Sequence, residues 1–149
     1  MPNRKAILVA DDSADDAYIL KRAFDKARTK VPLLFVRDGQ ELIDYLSGAD
    51  GFADRQNHPM PRVLLLDLKM PKLDGFDVLR WLQRQPELRR LIVTVLSSSN
   101  ESQDVNLAYD LGANSYVVKP ASMTGYAEIV EKLRDYWVDV NRPPDYVLS

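Results

Sequence analysis

Five times along this chain a short apolar run stops abruptly at a polar residue, and between the runs the apolar positions recur every three or four residues. The runs are Ala6–Ala10, Pro32–Val36, Val63–Leu66, Leu91–Leu96 and Ser115–Val118. A continuous apolar run of this length is the pattern of a strand buried on both faces. The intervening stripes are Ala17, Leu20, Ala23, Phe24 and Ala27, with Asp12 or Ser13 available as a cap, then Leu42, Ile43, Tyr45 and Leu46 after the Asp38-Gly39 turn. A third spans Phe76 to Leu82, a fourth comprises Val105, Ala108 and Leu111 before Gly112, and the last runs from Met123 to about Val138 with Ile129, Val130, Leu133, Tyr136 and Trp137 on one side. Parallel neighbours need crossover connections, so strands alternating with helices predict an α/β fold, doubly wound, with helices on both faces of a parallel sheet.

The 149 residues suit one domain. With 20 Lys and Arg against 22 Asp and Glu there is no global basic field for nucleic acid or an anionic membrane. Cysteine is absent and histidine occurs once, which removes thiolate chemistry and a multi-histidine metal site within one chain. The apolar start is too short for a signal sequence or a membrane span, so a cytoplasmic protein with no nucleic-acid or membrane partner is expected. Two segments break the rhythm. Residues 47–62 read as a surface insertion with His58 as a solvated loop residue, and residues 141–149 read as an extension after the domain of 1–140. Asn-Arg-Pro-Pro ends the last helix, yet Tyr146, Val147 and Leu148 are more apolar than a solvated tail needs; a homodimer arm is the expectation.

In an open parallel sheet ligands bind at the carboxyl ends of the strands. Those ends carry Asp11 and Asp12, then Asp67, then Ser97 and Ser98, then Lys119. An isolated strand-end Asp is ordinarily a cap or turn former, but carboxylates gathered at one edge repel and call for a cation. Oxygen ligands without His or Cys suit Mg²⁺, which in turn favours a phosphate oxygen. Asp67, alone at the end of the third strand, is the candidate acceptor of a phosphoryl group; Asp11 and Asp12 would hold the metal, and Lys119 and Ser97 the phosphoryl oxygens.

The residues then resemble the receiver domains of two-component response regulators, from Lys5 to about Val138. The motifs are Asp11-Asp12, Asp67 in Leu-Leu-Asp-Leu-Lys-Met-Pro with Asp74-Gly75 following, Ser97-Ser98, and Tyr116-Val-Val-Lys119-Pro120. The resemblance implies a flavodoxin-like five-stranded sheet of order 2-1-3-4-5 with five helices. It implies Asp67 as phosphoacceptor, Asp12 and Asp67 as side-chain Mg²⁺ ligands, the Lys69 backbone carbonyl as a third, and Asp11 acting largely through bound water. Ser97 matches the switching hydroxyl and Tyr116 the aromatic that moves with it; a cis Lys119-Pro120 bond is expected. The long connection before the third strand and the run Phe35–Leu46 are similar to stand-alone regulators of phytochrome-type sensor kinases, whose output passes by contact because no output domain is attached. The receiver is not read as an enzyme, although it assists its own phosphorylation and dephosphorylation.

Two other readings remain. A Mg²⁺-dependent phosphatase or phosphotransferase of the haloacid dehalogenase type, with an aspartyl-phosphate intermediate, wants a second acid two residues after the nucleophile, where this chain has Lys69. A pseudo-receiver interaction module would lack a site residue. No GxGxxG or GxxxxGK pattern supports a nucleotide-binding domain.

Overall fold

The computed structural model describes residues 6–145. Strands β1 (Ala6–Ala10), β2 (Leu33–Val36), β3 (Pro61–Leu66), β4 (Val93–Ser97) and β5 (Ser115–Val118) form one parallel sheet in the order β2-β1-β3-β4-β5. Helices α1 (Ala14–Lys26), α2 (Gly39–Ser47), α3 (Gly75–Gln83), α4 (Ser102–Asp110) and α5 (Met123–Leu133) alternate with them, as the apolar periodicity predicts.

Strand alternation sorts the core into two layers. Ile7, Val9, Val63 and Leu65 point to one face, where they meet Leu20 and Phe24 of α1 and Tyr126, Val130 and Leu133 of α5. Leu8, Ala10, Leu64 and Leu66 point to the other and meet Leu42 and Leu46 of α2, Val78, Leu79 and Leu82 of α3, and Ala108 of α4. Both faces are covered, which is why the strands read as unbroken apolar runs.

Helix starts follow from local chemistry. Ser13, Asp38, Asp74 and Ser122 each accept a backbone N–H from three residues ahead, and Asp74 with Asp77 forms a reciprocal capping box. Gly75, directly after its cap, lets the backbone approach closely: a Cβ there would sit 2.5 Å from the Asp67 carbonyl oxygen and 2.8 Å from Leu68 Cα. The start of α3 thereby presses onto the end of β3.

Several expectations are corrected. No cis peptide bond occurs among the described residues, so Lys119-Pro120 is trans, the isomer an X-Pro amide favours by about 0.5–1 kcal/mol when nothing selects the other. The last helix is α-helical only to Leu133 and continues as a π-helical stretch over Arg134–Val140. Its wider turns rotate the apolar stripe: Trp137 and Val138 stay against the core, whereas Tyr136 is half exposed. The 47–62 segment is hydrogen-bonded to α2. Arg55 donates to the carbonyls of Tyr45, Leu46 and His58, and the Tyr45 hydroxyl donates to Pro59 O at 2.8 Å. His58 is half-buried, edge-on to Tyr45 and Phe52, and is not a solvated residue. Of the C-terminal segment, residues 141–145 lie against their own chain, with Arg90 donating to Asp145 O at 3.2 Å; Tyr146, Val147 and Leu148 lie outside the described residues.

Thr94, fully buried in β4, has no partner for its hydroxyl among the described residues. Thr94→Val keeps the shape and removes the unpaired group, so urea denaturation should show a gain of about 1 kcal/mol.

Candidate functional site

The parallel register brings β1 and β3 side by side, with Ala10 opposite Leu66. The next residue of each strand is acidic, and the ladder continues through them: Asp67 N–H donates to Ala10 O at 3.0 Å and Asp11 N–H to Val36 O at 3.1 Å. Asp11 and Asp67 are buried while Asp12 is exposed, and one carboxylate oxygen of each lies within 4.8 Å of the other two. On the far side, β5 follows β4 far enough for Lys119 N–H to reach Ser97 O at 2.7 Å. The Lys119 side chain then crosses the sheet edge, its Nζ 2.9 Å from Asp11 Oδ2 and 3.1 Å from Asp67 Oδ2, with only 8% of the side chain exposed.

Burial opposes the charge of both partners. It pushes the Asp11 carboxyl above its usual range despite the hydrogen bonds from Lys119 and Ser13. It would also push the Lys119 ammonium down, but hydrogen bonds to Asp16 and Asp11 and the charge of Asp67 overcome this and hold it above the ordinary lysine range. Lys119 is thus a fixed cation.

Asp16 is the residue that sequence reasoning missed. Its Oδ2 lies 2.7 Å from Lys119 Nζ. The available signal was spacing: Asp16 stands four residues after Asp12, on the first turn of α1. An acid there has a routine explanation in the helix dipole, which conceals its second role.

Ser97 is buried, and its Oγ accepts the Ser99 N–H at 3.1 Å. With Asp12, Lys69 and Asp104 it lines a cavity of about 560 Å³ at this edge. The Tyr116 hydroxyl donates to Ser99 O at 2.9 Å, and the Ser99 hydroxyl donates to Asp104 Oδ2 at 2.6 Å. Lys69 reaches the cluster through its backbone, its N–H 3.4 Å from Asp67 Oδ1. Asp11, Asp12, Asp67 and Lys119 therefore form one cluster, and Ser97 and Lys69 line the cavity beside it; Tyr116 is joined through Ser99.

Three carboxylates, of Asp11, Asp16 and Asp67, contact the Lys119 ammonium, and Asp12 adds a fourth beside Asp11 and Asp67, leaving a formal excess of three negative charges. The donors are all oxygen and the excess is concentrated at one edge, which fits a hard divalent cation. Such an edge can draw in a cation and present a carboxylate to a phosphorus centre.

Comparison with known proteins gives a consistent account. The "Probable methanogenesis regulatory protein FilR2" of Methanothrix harundinacea is 36% identical over 138 residues, 93% of this chain and 86% of that protein. Among solved structures, response regulator RPA3017 "in red light signaling of R. palustris" superposes with a TM-score of 0.88 at 39% identity, covering 97% of this chain and 99% of that one. The phosphorylated cyanobacterial phytochrome response regulator RcpA gives 0.87 at 31% identity, covering 95% and 99%. The Mn²⁺-bound form of response regulator Rcp1, a protein of Synechocystis, gives 0.85 at 29%, again covering 95% and 99%. Residues 7–134 match the response regulator receiver domain family. A match of that extent, on a sheet with this strand order, makes the chain a member of the response regulator receiver domain family.

Proposed function

We propose that Asp67 is the phosphoacceptor of this receiver, taking a phosphoryl group from a phosphohistidine of a sensor histidine kinase. An oxygen of Asp67 attacks phosphorus in line, the phosphorus–nitrogen bond breaks, and its electron pair leaves with the kinase imidazole. The observation that carries this reading is the buried Lys119 ammonium 3.1 Å from Asp67 Oδ2, a cation held where negative charge accumulates. Among the described residues Asp67 Oδ1 is met by the Lys69 N–H at 3.4 Å, a weaker contact than the ion pair on Oδ2, and is the less engaged oxygen.

Asp12, Asp67 and the Lys69 carbonyl would hold Mg²⁺, with Asp11 assisting from the second layer. When bound, the ion supplies positive charge that offsets carboxylate repulsion and steadies a phosphoryl oxygen. Ser97 Oγ accepts from Ser99 and keeps its own proton for a phosphoryl oxygen. Lys119 and Ser97 also steady the phosphoryl oxygens when water attacks phosphorus, the Asp67 oxygen–phosphorus bond breaks and inorganic phosphate leaves, so the receiver assists both its own phosphorylation and its dephosphorylation. Tyr116 follows Ser97 through Ser99, and the surface of α4, β5 and α5 changes its preferred partner. That surface offers Tyr109, Val118 and Met123, each substantially exposed.

Likeness to the phytochrome response regulator RcpA, and to RPA3017 of red light signaling, supports a phytochrome-type kinase as the donor. Exposed Tyr136 and Val140 support a homodimer contact through the last helix, completed by the C-terminal extension.

Three measurements follow. Asp67→Asn should abolish radiolabel transfer from a phosphorylated cognate kinase; retained label removes Asp67 from the acceptor role. Asp12→Asn, tested in chelator, relieves repulsion without touching a Lys119 contact and should raise the thermal midpoint by roughly 3 °C. Mg²⁺ should then no longer raise that midpoint, whereas an undiminished Mg²⁺ response takes Asp12 out of the metal site. Deleting residues 141–149 should lower the light-scattering mass from dimer to monomer, and an unchanged mass excludes the extension from the contact.

A further inference from the structure

An ammonium has three N–H donors, and those of Lys119 meet three different carboxylates. The distances are 2.7 Å to Asp16 Oδ2, 2.9 Å to Asp11 Oδ2 and 3.1 Å to Asp67 Oδ2. Asp11 and Asp67 belong to the strand-end trio whose oxygens lie within 4.8 Å of one another; Asp16 stands outside it, on α1, and makes the shortest contact of the three. Its position is fixed from behind. Its backbone N–H donates to the Ser13 cap at 3.1 Å, which holds it in the first turn of α1.

With two tetrahedral directions taken by Asp11 and Asp16, the third is forced toward Asp67. We propose that Asp16 is a positioning residue for phosphorylation: it orients the Lys119 ammonium so that one N–H stays aimed at Asp67 and at the group formed on it. The inference rests on the reading of Asp67 as acceptor. Without Asp16 the flexible four-carbon stem of Lys119 is restrained from one side only, and the ammonium turns among Asp11, Asp67 and water. The role requires a hydrogen-bond acceptor at that place. An amide therefore restores much of it, whereas a methyl group restores none.

Beryllofluoride, a tetrahedral mimic of the phosphoryl group, tests this on the full chain at saturating Mg²⁺ by calorimetry. Asp16 caps nothing with its side chain and is partly exposed, so both variants should fold. Asp16→Ala should weaken beryllofluoride binding about tenfold, the loss of one charge-assisted hydrogen bond, while Asp16→Asn stays within about threefold of the parent. Parent-like affinity in Asp16→Ala overturns the proposal, as does an equal loss in both variants, which reports charge alone. If the parent chain fails to bind beryllofluoride, or Asp67→Asn binds it as the parent does, the acceptor reading falls instead.

Discussion

One buried ammonium holds the site together. Lys119 is taken out of water at the sheet edge, and what keeps it charged there is the surrounding carboxylates rather than solvent. The dependence is mutual. Asp11 and Asp67 are buried acids from separate strands, and each would face the other uncompensated without the lysine. The cluster also links four elements that the chain separates widely, the ends of β1, β3 and β5 and the first turn of α1. Geometry at the edge is therefore set by electrostatics as much as by packing.

The sheet makes such a cluster possible. Parallel strands deliver their last residues to one side, and crossover helices on both faces leave that side open. Close backbone approach at Gly75 brings the cap of α3 against the end of β3, so the loop carrying Lys69 and Met70 has little freedom beneath it. At the opposite end, Arg55 and the aromatic group of Tyr45, Phe52 and His58 close the longest connection, away from the acidic edge.

The strands, the helices and the two-faced core were legible because burial on both faces leaves an unbroken apolar run, as in Val63–Leu66, and burial on one side leaves a stripe at helical spacing, as in Leu20, Ala23 and Phe24. The cluster of Asp11, Asp12, Asp67 and Lys119 was legible for the same topological reason. What could not be read were features set by three-dimensional coincidence. Asp16 looks like any acid at a helix start. His58 sits among polar residues in sequence, and only the fold places two aromatic rings against it. The change to π-helical geometry at Arg134 leaves no mark in the apolar spacing, so the outward turn of Tyr136 was hidden. The Lys119-Pro120 isomer is not encoded by the motif alone.

Ser99 commits nearly all of its bonding capacity at once. Its N–H goes to Ser97 Oγ, its carbonyl receives the Tyr116 hydroxyl, and its own hydroxyl joins Asp104 while accepting the Glu101 N–H. A residue with so few free valences behaves as a rivet rather than a bearing: the segment it fastens is displaced as one rigid piece or stays where it is, and intermediate postures are cut out of its repertoire.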